Sequence, residues 1–235
     1  SSMHDTESLP PFPGVPLPDA SLAEDPASPP PQPRTHITTL PSGLRVVTQE
    51  TYMPMTSLGI VVDAGSRQSF ATHGAVGVAH LAELMAFKST LRRDHAGVLA
   101  AVEQMGGMVN ANSSREQMLY VVDALRENVE EAVALLAETV LVPSFAADEI
   151  DEGREVLAFL YDEMQQDQLV KELLQAAAYG ARSPLGVPHF CPHADARALD
   201  ARALREFHAA FYTAPRVVVA AAGAEHDAFV RLCER

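Results

Sequence analysis

Apolar residues recur along the chain in two periods, and the places where the period changes mark the expected element boundaries. His36 to Leu40 and Leu44 to Gln49 are strand-length runs on either side of Pro41-Ser42-Gly43, which supplies turn chemistry, so the pair predicts a hairpin. Ser57 to Asp63 predicts a third strand. Val76 to Phe87 carries apolar residues at Val76, Ala79, Leu84 and Phe87 with polar groups between, which predicts a buried helix closed by Lys88-Ser89-Thr90. Asp94 is placed to cap the next helix, which runs to Met105 and stops at Gly106-Gly107. Met108 to Ala111 and Met118 to Asp123 then predict a second hairpin-like pair around the polar stretch Asn112 to Gln117.

Helical spacing returns for Val129 to Val140, for Ala147 to about Gln165 and for Leu169 to Tyr179. A loop rich in Gly, Pro and His follows from Gly180 to Ala194, then a helix over Ala201 to Phe211, a strand over Arg216 to Ala222 and a helix from near Glu225. Strands and helices in this order predict an α+β fold, a mostly antiparallel sheet with helices packed on it. One domain is expected over 35–235, its last helix cut off at Arg235 within its pattern. Residues 1–34 hold most of the prolines and little apolar periodicity, so an extended arm, partly polyproline II, is expected there, ordering only against a partner.

Composition narrows the function classes. A formal charge of −14 lacks the clustered Lys and Arg that phosphate contacts need, so no direct nucleic-acid partner is expected. The acidity would attract a basic ligand and serves solubility equally well. The longest apolar runs, Leu58 to Val62 and Val217 to Ala222, are far shorter than the roughly 20 residues of a membrane span, so no transmembrane segment is expected. Cys191 and Cys233 lie far apart without CxxC spacing, which points to neither a disulfide framework nor a thiolate zinc site and fits a reducing compartment. The N-terminus shows neither a secretory apolar core nor an Arg-rich amphipathic leader, so any targeting peptide is expected to lie outside this sequence.

The stretch that carries candidate chemistry is His80-Leu81-Ala82-Glu83, because residues three apart on a helix share a face and bring an imidazole and a carboxylate together. Alone, such a pair serves equally as a surface or capping feature. Its context is more specific. Gly77-Val78-Ala79-His80-Leu81-Ala82-Glu83-Leu84-Met85-Ala86-Phe87-Lys88-Ser89-Thr90 resembles the zinc helix of the mitochondrial processing-peptidase family, pitrilysin-like peptidases whose active members read H-x-x-E-H. Thr39 to Val46 and Val62 to Arg67 resemble that family's opening hairpin and second turn, and Gly106-Gly107 with Asn110 to Gln117 its edge-strand region. The resemblance runs through residues 35–235.

It implies an edge strand, here Asn110, Ala111, Asn112 and Ser113, that pairs with extended peptide substrates. It also exposes a departure. The second metal-binding histidine would stand where this chain has Leu84; the distal glutamate ligand falls on Leu160, and a further acid one heptad earlier on Gly153. A catalytic zinc takes about three protein ligands plus an open position, so His80 alone leaves Glu83 with no metal-bound water to deprotonate, and no metal, cofactor or independent catalysis is expected. Asp162 or Glu163 would substitute for the distal ligand only with a slipped register, and Leu84 would still supply nothing.

Ser89 in place of glycine and Ser114 to Met118 resemble the family's alpha type, and the Pro-rich Leu9 to Leu17 resembles the arm of plant and algal alpha-type members. The resemblance therefore implies a non-catalytic alpha-type subunit paired with a zinc-bearing beta-type partner, recognising matrix-targeting presequence peptides, in the mitochondrial matrix or on the matrix face of the inner membrane. In some lineages such subunits are also core subunits of respiratory complex III. The family's glycine-rich loop belongs to a second half not in this sequence. The rival reading is a degenerate peptidase-fold fragment recruited as a structural subunit of another mitochondrial assembly, a ribosome or ATP synthase.

The remaining candidates have simpler readings. His189 and His193 flank Cys191 in a loop broken by Pro188 and Pro192, which predicts a loop pair rather than a metal site. Glu127, Glu130 and Glu131, and Asp148, Glu149, Asp151 and Glu152, suit helix N-termini and also suit attraction of Arg-rich peptides. Met105, Met108, Met118 and Met164 are expected to fill the core.

Overall fold

In the computed structural model, residues 33–51, 53–71 and 75–234 are described. The arm expected over 1–34 therefore lies, through residue 32, outside the described residues. The opening hairpin forms as β1 (Thr35–Thr39) and β2 (Arg45–Gln49), and its turn is set by Gly43 at a φ of 90°. β3 (Met55–Val62), β4 (Met108–Ser113) and β5 (Met118–Leu125) follow as expected, each a little longer than the sequence pattern marked.

The last strand, β6 (Val217–Ala222), does not add to an edge. It inserts between β2 and β3, parallel to the first and antiparallel to the second, giving the order β1-β2-β6-β3-β5-β4. Four of the five strand pairings are antiparallel, and the β2–β6 pair is the parallel one. Alternation sends Val46, Leu58, Ile60, Tyr120, Val122, Val219 and Ala221 to one buried face.

The helices are α1 (Val78–Leu84), α2 (His95–Gln104), α3 (Val129–Leu141), α4 (Ala147–Asp162), α5 (Gln166–Tyr179), α6 (His193–Ala196), α7 (Ala201–Phe211) and α8 (His226–Cys233). Asp94, Asp200 and Glu225 cap α2, α7 and α8 by accepting hydrogen bonds from first-turn amides. The short α6 has no forerunner in the sequence pattern. Of the methionines, Met105 and Met118 are buried, but Met108 is 73% exposed, a correction to its expected place in the core. It opens the edge strand opposite Asp123, on the sheet face that turns away from the core.

α1 is the centre of the packing. Val78, Ala79, His80, Leu81 and Ala82 are all buried, and the helix touches α4, α7 and β4. It is shorter at both ends than the apolar spacing predicts. Gly77 takes a left-handed φ of 85° at its start, and Phe87 takes a φ of 56° just past its end. The exit is then pinned by two buried carboxylates: Glu149 accepts from the Ser89 amide and hydroxyl, and Glu138 accepts from Thr90 Oγ1 and pairs with Arg93. Glu149, read as a helix N-terminal acid, thus ties α4 to the end of α1.

Gly77 is needed twice over, since a side chain there would also overlap Cys191. Gly77→Ala is expected to destabilise the protein by about 2–4 kcal/mol, combining the left-handed backbone with overpacking. Urea unfolding checks this, and adding Cys191→Gly, which removes both the Sγ and the Cβ that a residue-77 side chain would overlap, should recover the overpacking part but not the backbone part.

Candidate functional site

The site is built where α1, the end of β4 and the 180–194 loop meet. His80 and Glu83 are one helical turn apart, as their spacing requires, but they are engaged by different neighbours. Glu83 Oε2 accepts from the Ser113 amide at 2.7 Å and from Ser113 Oγ at 2.5 Å. Burial raises the Glu83 carboxyl above its ordinary range, and the two Ser113 hydrogen bonds work against that rise. The carboxylate is therefore a clasp between α1 and the edge strand.

His80 stacks on His189, with ring centroids 5.2 Å apart and planes at 22°, and the Phe190 edge meets its ring at 5.6 Å. Nδ1 of both imidazoles is buried without a hydrogen-bond partner. Burial draws His80 down to about 4; burial, then the His80 and Arg115 charges, draws His189 down to about 4. Both rings are neutral near pH 7.

His189 is the site residue that sequence spacing missed. It and His193 do not act as a pair: His193 Nε2 instead meets Asp162 Oδ1 at 2.8 Å. The loop is bolted down at each end. Glu172 Oε2 accepts from the His189 amide at 3.0 Å and from Arg115 Nη2 at 2.7 Å, while Cys191 fills the space left by Gly77 and donates toward the Val76 carbonyl. Burial, then Asp195, pushes the Cys191 thiol up to about 12, so it stays protonated.

The positions that the family pattern assigns to metal ligands offer no donor here. Leu84 packs against the core, Leu160 is apolar and partly buried, and Gly153 lets α4 close on α1, since a Cβ there would lie 2.8 Å from Leu81 Cδ1 and Met85 Cε. Asp162, the register-slip candidate, is held by His193. Among the described residues no group of three or more His, Cys, Asp or Glu side chains is arranged to hold a metal ion. Two stacked imidazoles, His80 and His189, beside a carboxylate already bonded to Ser113 do not make the donor set of a three-ligand zinc.

Asn110, Ala111, Asn112 and Ser113 lie on β4, at the end of the sheet, with β5 on one side and no strand on the other among the described residues. Next to them runs an open groove of about 810 Å³, with Ser113 to Gln117 on one wall and Lys171, Gln175 and His189 on the other. An extended peptide laid there could add backbone hydrogen bonds to β4.

A family model described as insulinase (peptidase family M16) matches residues 45–193. Among curated relatives, a mitochondrial-processing peptidase subunit alpha of Solanum tuberosum is 38% identical over 203 residues, covering 86% of this chain and 40% of the relative. The subunit alpha of Homo sapiens is 31% identical over 225 residues, covering 94% and 42%, and a probable subunit beta of Arabidopsis thaliana is 36% identical over 202 residues, covering 84% and 38%. The chain thus spans about 40% of the length of these relatives. Among solved structures, a protease from Helicobacter pylori superposes with a TM-score of 0.76 over 86% of this chain and 49% of that one, at 22% identity, a likeness of fold.

The buried histidines set a pH dependence. With native values near 4 against an unfolded 6.5, the unfolded chain binds more protons between those limits, so stability is full above about pH 6.5 and falls as pH drops toward 4. Each histidine should contribute a slope of up to about 1.4 kcal/mol per pH unit. Denaturant unfolding from pH 7 to 4.5 checks this, and His189→Gln should flatten the profile.

Proposed function

The chain belongs to the insulinase-type peptidase family M16, and we propose that within it the chain is a non-catalytic alpha-type subunit of a mitochondrial processing peptidase. The observation that carries this reading is the state of the zinc helix. His80 and Glu83 persist, but Leu84, Gly153 and Leu160 stand at the other polar positions, and Glu83 is held by Ser113. The similarity to named alpha subunits from plants and mammals supports the same reading. Residues 35–235 are then the N-terminal domain of a longer chain.

In this role the chemistry belongs to a beta-type partner with an intact H-x-x-E-H helix, in the mitochondrial matrix or on the matrix face of the inner membrane. This chain contributes recognition. The unpaired edge of β4, at Asn110 to Ser113, and the groove beside it receive an extended presequence, whose basic residues are favoured by the acidic surface. Service as a core subunit of respiratory complex III is compatible with the same geometry.

Two measurements test the proposal. The full-length chain, purified alone, should contain no stoichiometric zinc and cleave no presequence peptide, while mixing it with the beta-type partner should give cleavage. Zinc or cleavage in the isolated chain overturns the reading, and a native assembly holding only unrelated proteins favours a structural role instead. In the assembled enzyme, Glu83→Gln should leave the cleavage rate within about twofold, whereas loss of a catalytic base lowers rates by about 10²- to 10⁴-fold.

A further inference from the structure

Helix α5 forms one wall of the groove beside β4 without packing its apolar residues into the core. Leu169, Val170, Leu173 and Leu174 are exposed, and no residue of α5 is buried. The less exposed side of the helix is mostly polar, with Gln168, Glu172, Gln175 and Ala176. Most helices in proteins are held by burial of an apolar face. Here, among the described residues, polar contacts set where the wall stands.

Those contacts meet at Glu172. A single oxygen, Oε2, accepts from Arg115 Nη2 at 2.7 Å and from the His189 amide at 3.0 Å. Arg115 belongs to the turn between β4 and β5, and His189 to the 180–194 loop, so one carboxylate joins the opposite wall of the groove and the loop to α5. The Arg115 and Glu172 side chains are only 18% and 11% exposed, whereas those of Lys171 and Asp167, paired on the same helix, are 70% and 68% exposed. Shielding from water strengthens a charged hydrogen bond, and a solvated pair contributes little.

The links close a ring around this end of the groove. Ser113 bonds Glu83 and His189 stacks on His80, so both walls are tied to α1. The Arg115 carbonyl accepts from the Arg67 amide at 3.0 Å, which steadies the turn from its far side. Glu172 supplies the link that spans from one wall to the other.

We propose that Glu172 is a positioning residue for peptide recognition: through Arg115 and the His189 amide it fixes the spacing between the β4 edge and α5, so the groove is formed before a peptide arrives. This rests on the reading of β4 as the edge that receives the peptide. A wall already in place spares the peptide the cost of ordering it. The carboxylate is engaged by Arg115, so it acts through the wall and not as a direct attraction for basic side chains.

The test uses the full-length chain assembled with its beta-type partner and a presequence peptide that carries a photoreactive residue. In the unmodified assembly a crosslink to β4 is expected; its absence removes the reading of the β4 edge, and this inference with it. With the crosslink present, steady-state kinetics decide the role of Glu172. Glu172→Ala should raise KM roughly tenfold and leave kcat within about twofold, because the chemistry lies on the partner. Glu172→Gln, which keeps an acceptor oxygen, should recover part of the loss, and Asp167→Asn, which breaks the solvated pair on the same helix, should change neither constant. Arg115→Met separates positioning from attraction: loss of the link raises KM, whereas a Glu172 that attracted the peptide directly would be freed and KM would fall. An unchanged KM in Glu172→Ala, a loss confined to kcat, or a KM not raised in Arg115→Met overturns the proposal while leaving the β4 reading in place.

Discussion

Burial of α1 on every side is the constraint from which the rest of the structure follows. Five consecutive residues, Val78 to Ala82, are closed off from solvent, so every polar group on or beside this helix needs an answer from the protein. Glu83 finds Ser113; the exit loop finds Glu149 and Glu138; His80 finds two aromatic rings and is left with one unpartnered nitrogen. These answers join α1 to the edge strand, to α3, to α4 and to the 180–194 loop. A residue pair that looks catalytic on the page is thereby given a packing role that would retain it without any chemistry.

The same constraint accounts for the surroundings of Leu84 and Gly153. Gly153 draws α4 against Leu81 and Met85, and Leu84 lies against the core. A carboxylate or imidazole in place of Leu84 would stand against apolar core neighbours, which disfavours a charge without a partner.

Most elements were legible in the sequence because alternation and helical spacing are local properties. The capped starts of α2, α7 and α8 and the turn at Gly43 are written in single residues. Three features were not. The insertion of β6 between β2 and β3 is a choice of pairing partner, and Val217 to Ala222 would alternate equally well at an edge. His189 reaches His80 only through the path of an irregular loop, held by Glu172 and Cys191. The spacing in α5 identifies a helix but not which side turns inward, and Met108 shows the same ambiguity for a strand at an edge. Leu84 carries no local signal of its own, since nothing in periodicity distinguishes it from any other leucine packed against the core, and only the family resemblance singles it out.

The central place of β6 also has a consequence for the order in which the chain can fold. Until Val217 to Ala222 is available, the β1-β2 hairpin has no link to the β3-β5-β4 ladder, and Val46 awaits Val219 from the far end of the described chain. A chain threaded N-terminus first, from a ribosome or through a translocation pore, therefore emerges as two separate pieces of sheet. Joining them through β6 is a non-local pairing, and such pairing is slow to form. The six-stranded sheet is complete only once nearly all of this sequence has passed through.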